Sequence, residues 1–264
     1  MRYSGIEGKV AVVTGAAQGI GEAVARAFAV QGAIVAVVDR NETGCTSLAA
    51  ELNAGGYHAA AYPVDVSDSA AVNRTVERIE EELGSIGVLV NVAGILRMGP
   101  IETLTDEDWQ STFSVNVNGV FYMSRAVVTR MAKRRSGAIV TVGSNASGVP
   151  RTQMSAYAAS KAATTMFTKC LGLEYARHHI RCNIVSPGST DTEMQRSLWN
   201  GQNEQNGAEA MIAGSPESFR LGIPLGRIAQ PSDIADAVVF LASEQARHIT
   251  MHDMCIDGGA TLGC

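Results

Sequence analysis

Short runs rich in Val, Ile and Ala recur along the chain, separated by stretches long enough to hold a helix, and this alternation restricts the fold more than any other feature. The runs are Val10–Thr14, Ile34–Val38, Ala59–Val64, Val88–Asn91, Ala138–Val142, Arg181–Ser186 and Met254–Ile256. Near-continuous apolar strands, as opposed to strands that alternate polar and apolar residues, belong to sheets buried on both faces. The pattern therefore predicts an α/β fold in which a parallel sheet of about seven strands is doubly wound, with helices on both sides. Two helix starts are marked by cap chemistry: Thr105 with Asp108 three residues later, and Pro231-Ser232-Asp233 ahead of an apolar helical stretch. With 264 residues, 46% of them hydrophobic, residues 1–264 are expected to form a single domain with an ample core.

The formal net charge of −5 gives no electrostatic reason to expect nucleic acid or an anionic membrane as a partner. The one basic run, Lys133-Arg134-Arg135, precedes Ser136-Gly137, where cations would complement the end of a helix. Met1 to Lys9 lacks the basic-then-apolar form of a secretion signal, and no apolar run reaches membrane-spanning length, so a soluble cytoplasmic protein is expected. Cys45, Cys170, Cys182, Cys255 and Cys264 are odd in number and widely spaced, which fits reduced thiols. His248 and His252 lack the Glu of a zinc-binding helix, and no metal is expected.

Directly after the first strand stands Thr14-Gly15-Ala16-Ala17-Gln18-Gly19-Ile20-Gly21, leading into a helical pattern. Strand, glycine-rich turn and helix N-terminus together turn backbone N–H groups toward a pyrophosphate, as in Rossmann-type nucleotide sites. The spacing is G-x-x-x-G-x-G, and taken alone an ordinary βα turn is a serious alternative. Asp39, at the end of the second strand, weighs against that alternative, because its carboxylate can accept hydrogen bonds from an adenosine ribose. A carboxylate there repels a 2′-phosphate and favours NAD over NADP, although the adjacent Arg40 could pair with such a phosphate. Asp65 and Val66 either border the adenine or serve the next helix, Asp65 as its cap.

Further along, Tyr157 and Lys161 are four residues apart on a helical stretch and so project to one side. Tyr-x-x-x-Lys alone is a cheap pattern, but here it follows a nucleotide-type unit, and Ser144 follows the strand just before it. With Thr14 to Gly21, Asn91-Val92-Ala93-Gly94, Asn116, Ser144, Tyr157 with Lys161, and Pro187-Gly188 followed by Thr192, the chain resembles the short-chain dehydrogenase/reductase family end to end. The usual Asn-Asn-Ala-Gly is Asn-Val-Ala-Gly here, and the missing amide's role would be support of the fourth strand.

That resemblance implies that Tyr157 is the acid/base, that Lys161 holds the nicotinamide ribose and lowers the tyrosine pKa, that Ser144 orients the reacting oxygen, and that Asn116 supports a proton-relay water. It implies a cofactor site of Gly15, Gln18, Gly19, Ile20, Gly21, Asp39, Asp65, Val66, Asn91, Ala93, Gly94, Tyr157, Lys161, Pro187, Gly188, Thr190 and Thr192. It also suggests a homotetramer. Bringing a phenol from about 10 to near neutrality takes about 4 kcal/mol, which one ammonium at about 4 Å supplies at an effective dielectric of about 20.

Longer stretches, above all Arg181 to Gln195, resemble a bacterial subgroup of that family whose substrate is a cyclohexadiene diol carboxylate, oxidised to an aromatic catechol acid for siderophore synthesis. A carboxylate needs a cation, and Arg97 and Arg151 both stand in loops near the proposed chemistry, where a surface or inter-subunit salt bridge is an equal alternative. Met194 and Gln195 would lie on the lid side of the ring. Trp199 to Pro216, rich in Asn, Gln, Gly and Ala, lacks a strand pattern and reads as an irregular excursion. Residues 190–222 are expected to form a substrate lid. Since one fold serves many substrates, the alternatives are a 3-oxoacyl thioester or sugar reductase of the same family and, in a different class, a non-catalytic dinucleotide sensor.

Overall fold

The computed structural model describes residues 2–199 and 204–263. Seven parallel strands, β1 (Val10–Thr14), β2 (Ile34–Asp39), β3 (His58–Pro63), β4 (Ile86–Asn91), β5 (Gly137–Val142), β6 (Ile180–Pro187) and β7 (Asp253–Ile256), form one sheet in the order β3-β2-β1-β4-β5-β6-β7. The crossovers carry helices α1 (Gly19–Val30), α2 (Glu42–Ala54), α3 (Ser69–Glu82), α4 (Asp106–Phe113), α5 (Gly119–Arg134) and α6 (Ser155–Tyr175), and after β6 come α7 (Glu193–Arg196), α8 (Glu204–Ala213) and α9 (Pro231–Ala242). The strand order reverses between β1 and β4, and in such sheets a crevice opens there at the C-terminal strand ends.

Side chains alternate across a strand, so each strand feeds two cores. Ala11, Val13, Val35, Val37, Val88, Val90 and Val140 pack with α1, α2 and α9 on one face. Val10, Val12, Ala36, Val38, Leu89 and Ile139 pack with residues of α3, α5 and α6 on the other. The inner strands β1, β2, β4, β5 and β6 leave almost no face for water, which is why they read as near-unbroken apolar runs, whereas the edge strands β3 and β7 are only partly covered.

Cap chemistry acts where the sequence indicates. Thr105 accepts the Asp108 N–H at 3.1 Å, and Gln230 and Asp233 form a reciprocal capping box before α9. α5 ends at Arg134 with Arg135 left-handed at φ 56°, and Arg134 pairs with Glu80 at 2.7 Å. One expectation is corrected. The stretch Trp199 to Pro216 is not irregular throughout, because Glu204–Ala213 is helical and Trp199 is buried against Ile223 and Ile228. Residues 200–203 of the expected lid lie outside the described residues, as does Cys264. Among the described residues Cys45, Cys170, Cys182 and Cys255 form no disulfide. Among the described residues no helix is long and apolar enough to cross a membrane, and no cluster of side chains suits a metal ion.

Candidate active site

The β1–α1 turn is closed against side chains. A Cβ at Gly21 would fall 2.0 Å from the Gly15 oxygen, and one at Gly15, where φ is +66°, would fall 2.8 Å from Ala93 N and Cα. Gly19 is left-handed at φ +57° and approaches Thr192, the N-cap of α7. Gln18 caps α1 without a side-chain bond, so the first N–H groups of that helix remain free of a side-chain acceptor. Glycines packed this tightly, at a helix N-terminus lacking a side-chain cap, fit the pyrophosphate of a dinucleotide. Thr14 Oγ1 ties the turn to the end of β4 by accepting Val92 N–H at 3.0 Å and Ala93 N–H at 3.2 Å.

Asp39 is held at the rim by main chain: one carboxylate oxygen accepts Ala17 N–H at 3.1 Å and the other Asn41 N–H at 3.0 Å. Asp65 does not cap the next helix. It accepts the Ser67 N–H at 2.8 Å and the Ser67 hydroxyl at 2.7 Å, while Asp68 caps α3.

At the other end, Ser144 follows β5 and hydrogen-bonds with Tyr157, the third residue of α6. A five-residue π-turn, Ser114–Asn118, interrupts the helical run between α4 and α5 and turns Asn116 inward. The Asn116 amide clamps the loop after β4, accepting Ile95 N–H at 2.8 Å and donating to the Ile95 oxygen at 3.0 Å and to Ser160 Oγ at 3.0 Å. Gly94 is pressed between Asn116 and Lys161, since a Cβ there would meet Asn116 Oδ1 at 3.3 Å and Lys161 Nζ at 3.7 Å.

Lys161 is buried, donates to the Val142 oxygen at 2.9 Å, and lies with Nζ 5.7 Å from the centre of the Tyr157 ring. Burial brings its pKa down to about 8. Burial also pushes the Tyr157 phenol above its ordinary value, with the Ser144 hydrogen bond pulling weakly the other way. Lys161 donates to a carbonyl here, and burial sets the direction of the phenol's shift.

These groups line one cleft of about 430 Å³ along the strand ends. Gly15, Gln18, Gly19, Ile20, Gly21, Asp39, Asp65, Val66, Ala93, Gly94, Ser144, Tyr157, Lys161, Pro187, Gly188, Thr190 and Thr192 all reach it, as do Arg151, Met194 and Gln195. Asn116 stands just behind the wall. Asn91 and Arg97 are not brought there. Asn91, the last residue of β4, is buried and donates to Ser124 at 3.1 Å, its motif position having suggested a cofactor contact that its side-chain direction does not give. Arg97 is exposed and paired with Asp108 at 3.6 Å, the salt-bridge alternative.

The sequence reading missed Asn145 and Arg220, which also line the cleft. Asn145 donates to Asp257 at 3.2 Å, and Asp257 in turn accepts from Thr261 at 2.6 Å and from Gly259 N–H at 2.9 Å, tying the segment after β7 to the site. No local pattern marks either residue.

Residues 9–203 match the family model described as short chain dehydrogenase. Over its whole length the chain is 63% identical to a 2,3-dihydro-2,3-dihydroxybenzoate dehydrogenase of Bacillus subtilis, covering 100% of both. It is 47% identical to the enzyme of that name from Escherichia coli, covering 97% of this chain and 98% of the relative. Among solved structures it is similar to a gluconate 5-dehydrogenase from Burkholderia cenocepacia in complex with NADP and tartrate, with a TM-score of 0.89, 31% identity, and coverage of 100% of this chain and 98% of that one.

Proposed function

The chain belongs to the short-chain dehydrogenase family, and from that premise we propose that it oxidises 2,3-dihydro-2,3-dihydroxybenzoate to 2,3-dihydroxybenzoate with NAD, serving catechol-siderophore biosynthesis. The observation that carries this reading is full-length identity of 63% to a dehydrogenase of that name. The cleft supports it, because one strand-end crevice holds both a dinucleotide cradle and the Ser144, Tyr157 and Lys161 set.

With the dinucleotide's pyrophosphate at the glycine turn, its nicotinamide would lie toward Lys161 and would supply the hydride acceptor for the carbinol carbon at C3. Tyr157, as phenolate, takes the hydroxyl proton, and Ser144 donates a hydrogen bond that fixes the reacting oxygen. The ring ketone that results tautomerises to a catechol, and aromatisation makes oxidation the favoured direction. Tyr157 is held too high in the protein alone to act as a base at neutral pH, so its deprotonation draws on positive charge in the loaded site. At pH 7 Lys161, with a pKa of about 8, is still cationic and contributes to that charge. Asn116 braces the loop that packs Gly94 against Lys161 and keeps the ammonium in register.

NAD is preferred to NADP on the strength of Asp39, whose carboxylate is fixed by two N–H donors at the rim and would repel a 2′-phosphate. The outward faces of α5 and α6 carry exposed Phe121, Met166 and Leu173, apolar surface that supports a homotetramer packed through helices. The segment 190–222 serves as the substrate lid, and the cytoplasm is the proposed compartment. Incubation with NAD and the dihydrodiol, followed by nicotinamide absorbance and catechol product together, tests the activity. NADPH-driven reduction of a 3-oxoacyl thioester without dihydrodiol oxidation would replace this reading, and dinucleotide binding without turnover would favour a sensor.

A further inference from the structure

Arg220 brings a second guanidinium to the wall of the cleft that holds Arg151. Its position is set by main chain. Ser215 and Arg220 exchange two backbone N–H to O bonds of 2.9 Å, and the hairpin between them is pinched at its neck by Gly214 and Gly222, with φ of +80° and +88°. A Cβ on Gly214 would sit 2.4 Å from Gly222 N, and one on Gly222 would sit 2.4 Å from the Ile212 oxygen. Phe219 at the tip is left-handed and 85% exposed, while Arg220 turns back and is half-buried. A closed neck of this kind presents its side chain from a fixed base.

Among the described residues neither cation has a counter-charge. Among the described residues Arg220 donates only to the Met211 thioether at 3.4 Å, a weak acceptor, and Arg151 makes no hydrogen bond or ion pair. Neighbouring arginines after β6 are satisfied: Arg196 pairs with Asp191 at 2.8 Å and Arg227 with Asp233 at 2.6 Å. Glu193 also lines the cleft and bonds to neither guanidinium among the described residues. Arg151 is close enough for its charge to oppose that of Arg220, adding to the burial that already lowers the latter's pKa. Two mutually repelling cations, one of them half-buried, are unfavourable unless an anion joins them.

We propose that Arg151 and Arg220 together bind the ring carboxylate of the substrate, and that this pair selects ring diols carrying a carboxylate over those without one. The proposal deepens the dehydrogenase reading above and rests on it for the substrate class. Planar guanidinium forks suit a carboxylate, and two of them line the same cleft within reach of each other's charge.

The test compares binding of 2,3-dihydroxybenzoate and of catechol by calorimetry, with NAD present, in the wild-type protein and in Arg151→Met, Arg220→Met and Arg220→Lys. Each methionine variant is expected to narrow the preference for the carboxylate by about tenfold or more, mainly by weakening the benzoate, with the lysine variant in between. The Michaelis constant for the dihydrodiol should rise by a similar factor, more than kcat falls. An undiminished preference in both methionine variants overturns the proposal, as does equal weakening of both ligands, the mark of a merely structural arginine. Should Arg220→Met not fold, Arg151→Met and Arg220→Lys still decide. Wild-type turnover separates the two readings: arginine-dependent benzoate binding without dihydrodiol oxidation leaves the clamp standing and removes the proposed activity, whereas oxidation with undiminished selectivity does the reverse.

Discussion

At the β1–α1 end of the cleft a ligand would meet main chain, whereas at the β5–β6 end it meets side chains. The first end is glycine, free helical N–H groups and one carboxylate clamped by backbone donors. The second gathers Ser144 from a strand end, Tyr157 and Lys161 from a helix, Asn116 from a π-turn and two arginines from separate loops. Backbone groups recognise what all dinucleotides share; side chains can be exchanged singly, so the second end is where specificity and proton chemistry reside. The two ends should therefore fail differently when damaged.

Tyr157→Phe gives the sharpest separation: kcat is expected to fall by about 10³-fold while NAD affinity, measured by fluorescence titration, stays near wild type. A comparable fall in NAD affinity would merge the two ends into one unit.

Lys161→Met should also abolish useful turnover, yet raise stability at neutral pH. The folded-state pKa of about 8 lies below the ordinary 10.5, so the folded chain binds fewer protons between those values and stability rises with pH across that window. Below it the full cost, about 3 kcal/mol, is present. Methionine removes that cost and forfeits about 1 kcal/mol at the Val142 carbonyl, for a Tm gain of roughly 4 °C at pH 7 that disappears near pH 10.5. Any residual kcat/KM should rise toward higher pH than in the wild type, because Tyr157 loses a neighbouring cation.

Gly21→Ala probes the main-chain end. With its Cβ directed at the Gly15 oxygen, the turn must open, costing about 1–3 kcal/mol in denaturant unfolding and weakening NAD binding more than it alters kcat at saturating NAD. Asp39→Ser is the mildest, expected to weaken NAD by about tenfold and to narrow the NAD preference over NADP; an unchanged preference would shift selectivity to Arg40.

The same contrast governs what could be read from the sequence. The inner strands were legible because burial on both faces leaves an apolar run, and the nucleotide turn was legible because Gly15, Gly19 and Gly21 fall in one short stretch directly after β1. α8 was not, since Asn206 and Gly207 are poor helix formers and its stability comes from packing on Trp199. Asn116 was found by motif, but the π-turn that aims it has no local signature. Arg220 and Arg97 stand about equally far from Tyr157 in sequence, yet Arg220 is brought to the cleft by the Gly214–Gly222 neck whereas Arg97 is drawn off by Asp108.

The strands that feed two cores also bear on how such a chain can diversify. A residue inserted within Val35–Val38 would exchange the faces of everything beyond it and set α2 against side chains shaped for the opposite core. Substitution is open to these strands, but change of length is not. A lineage seeking new substrates must lengthen, shorten and rewrite the chain between β6 and α9, and can do so there without disturbing the cradle that every such enzyme needs.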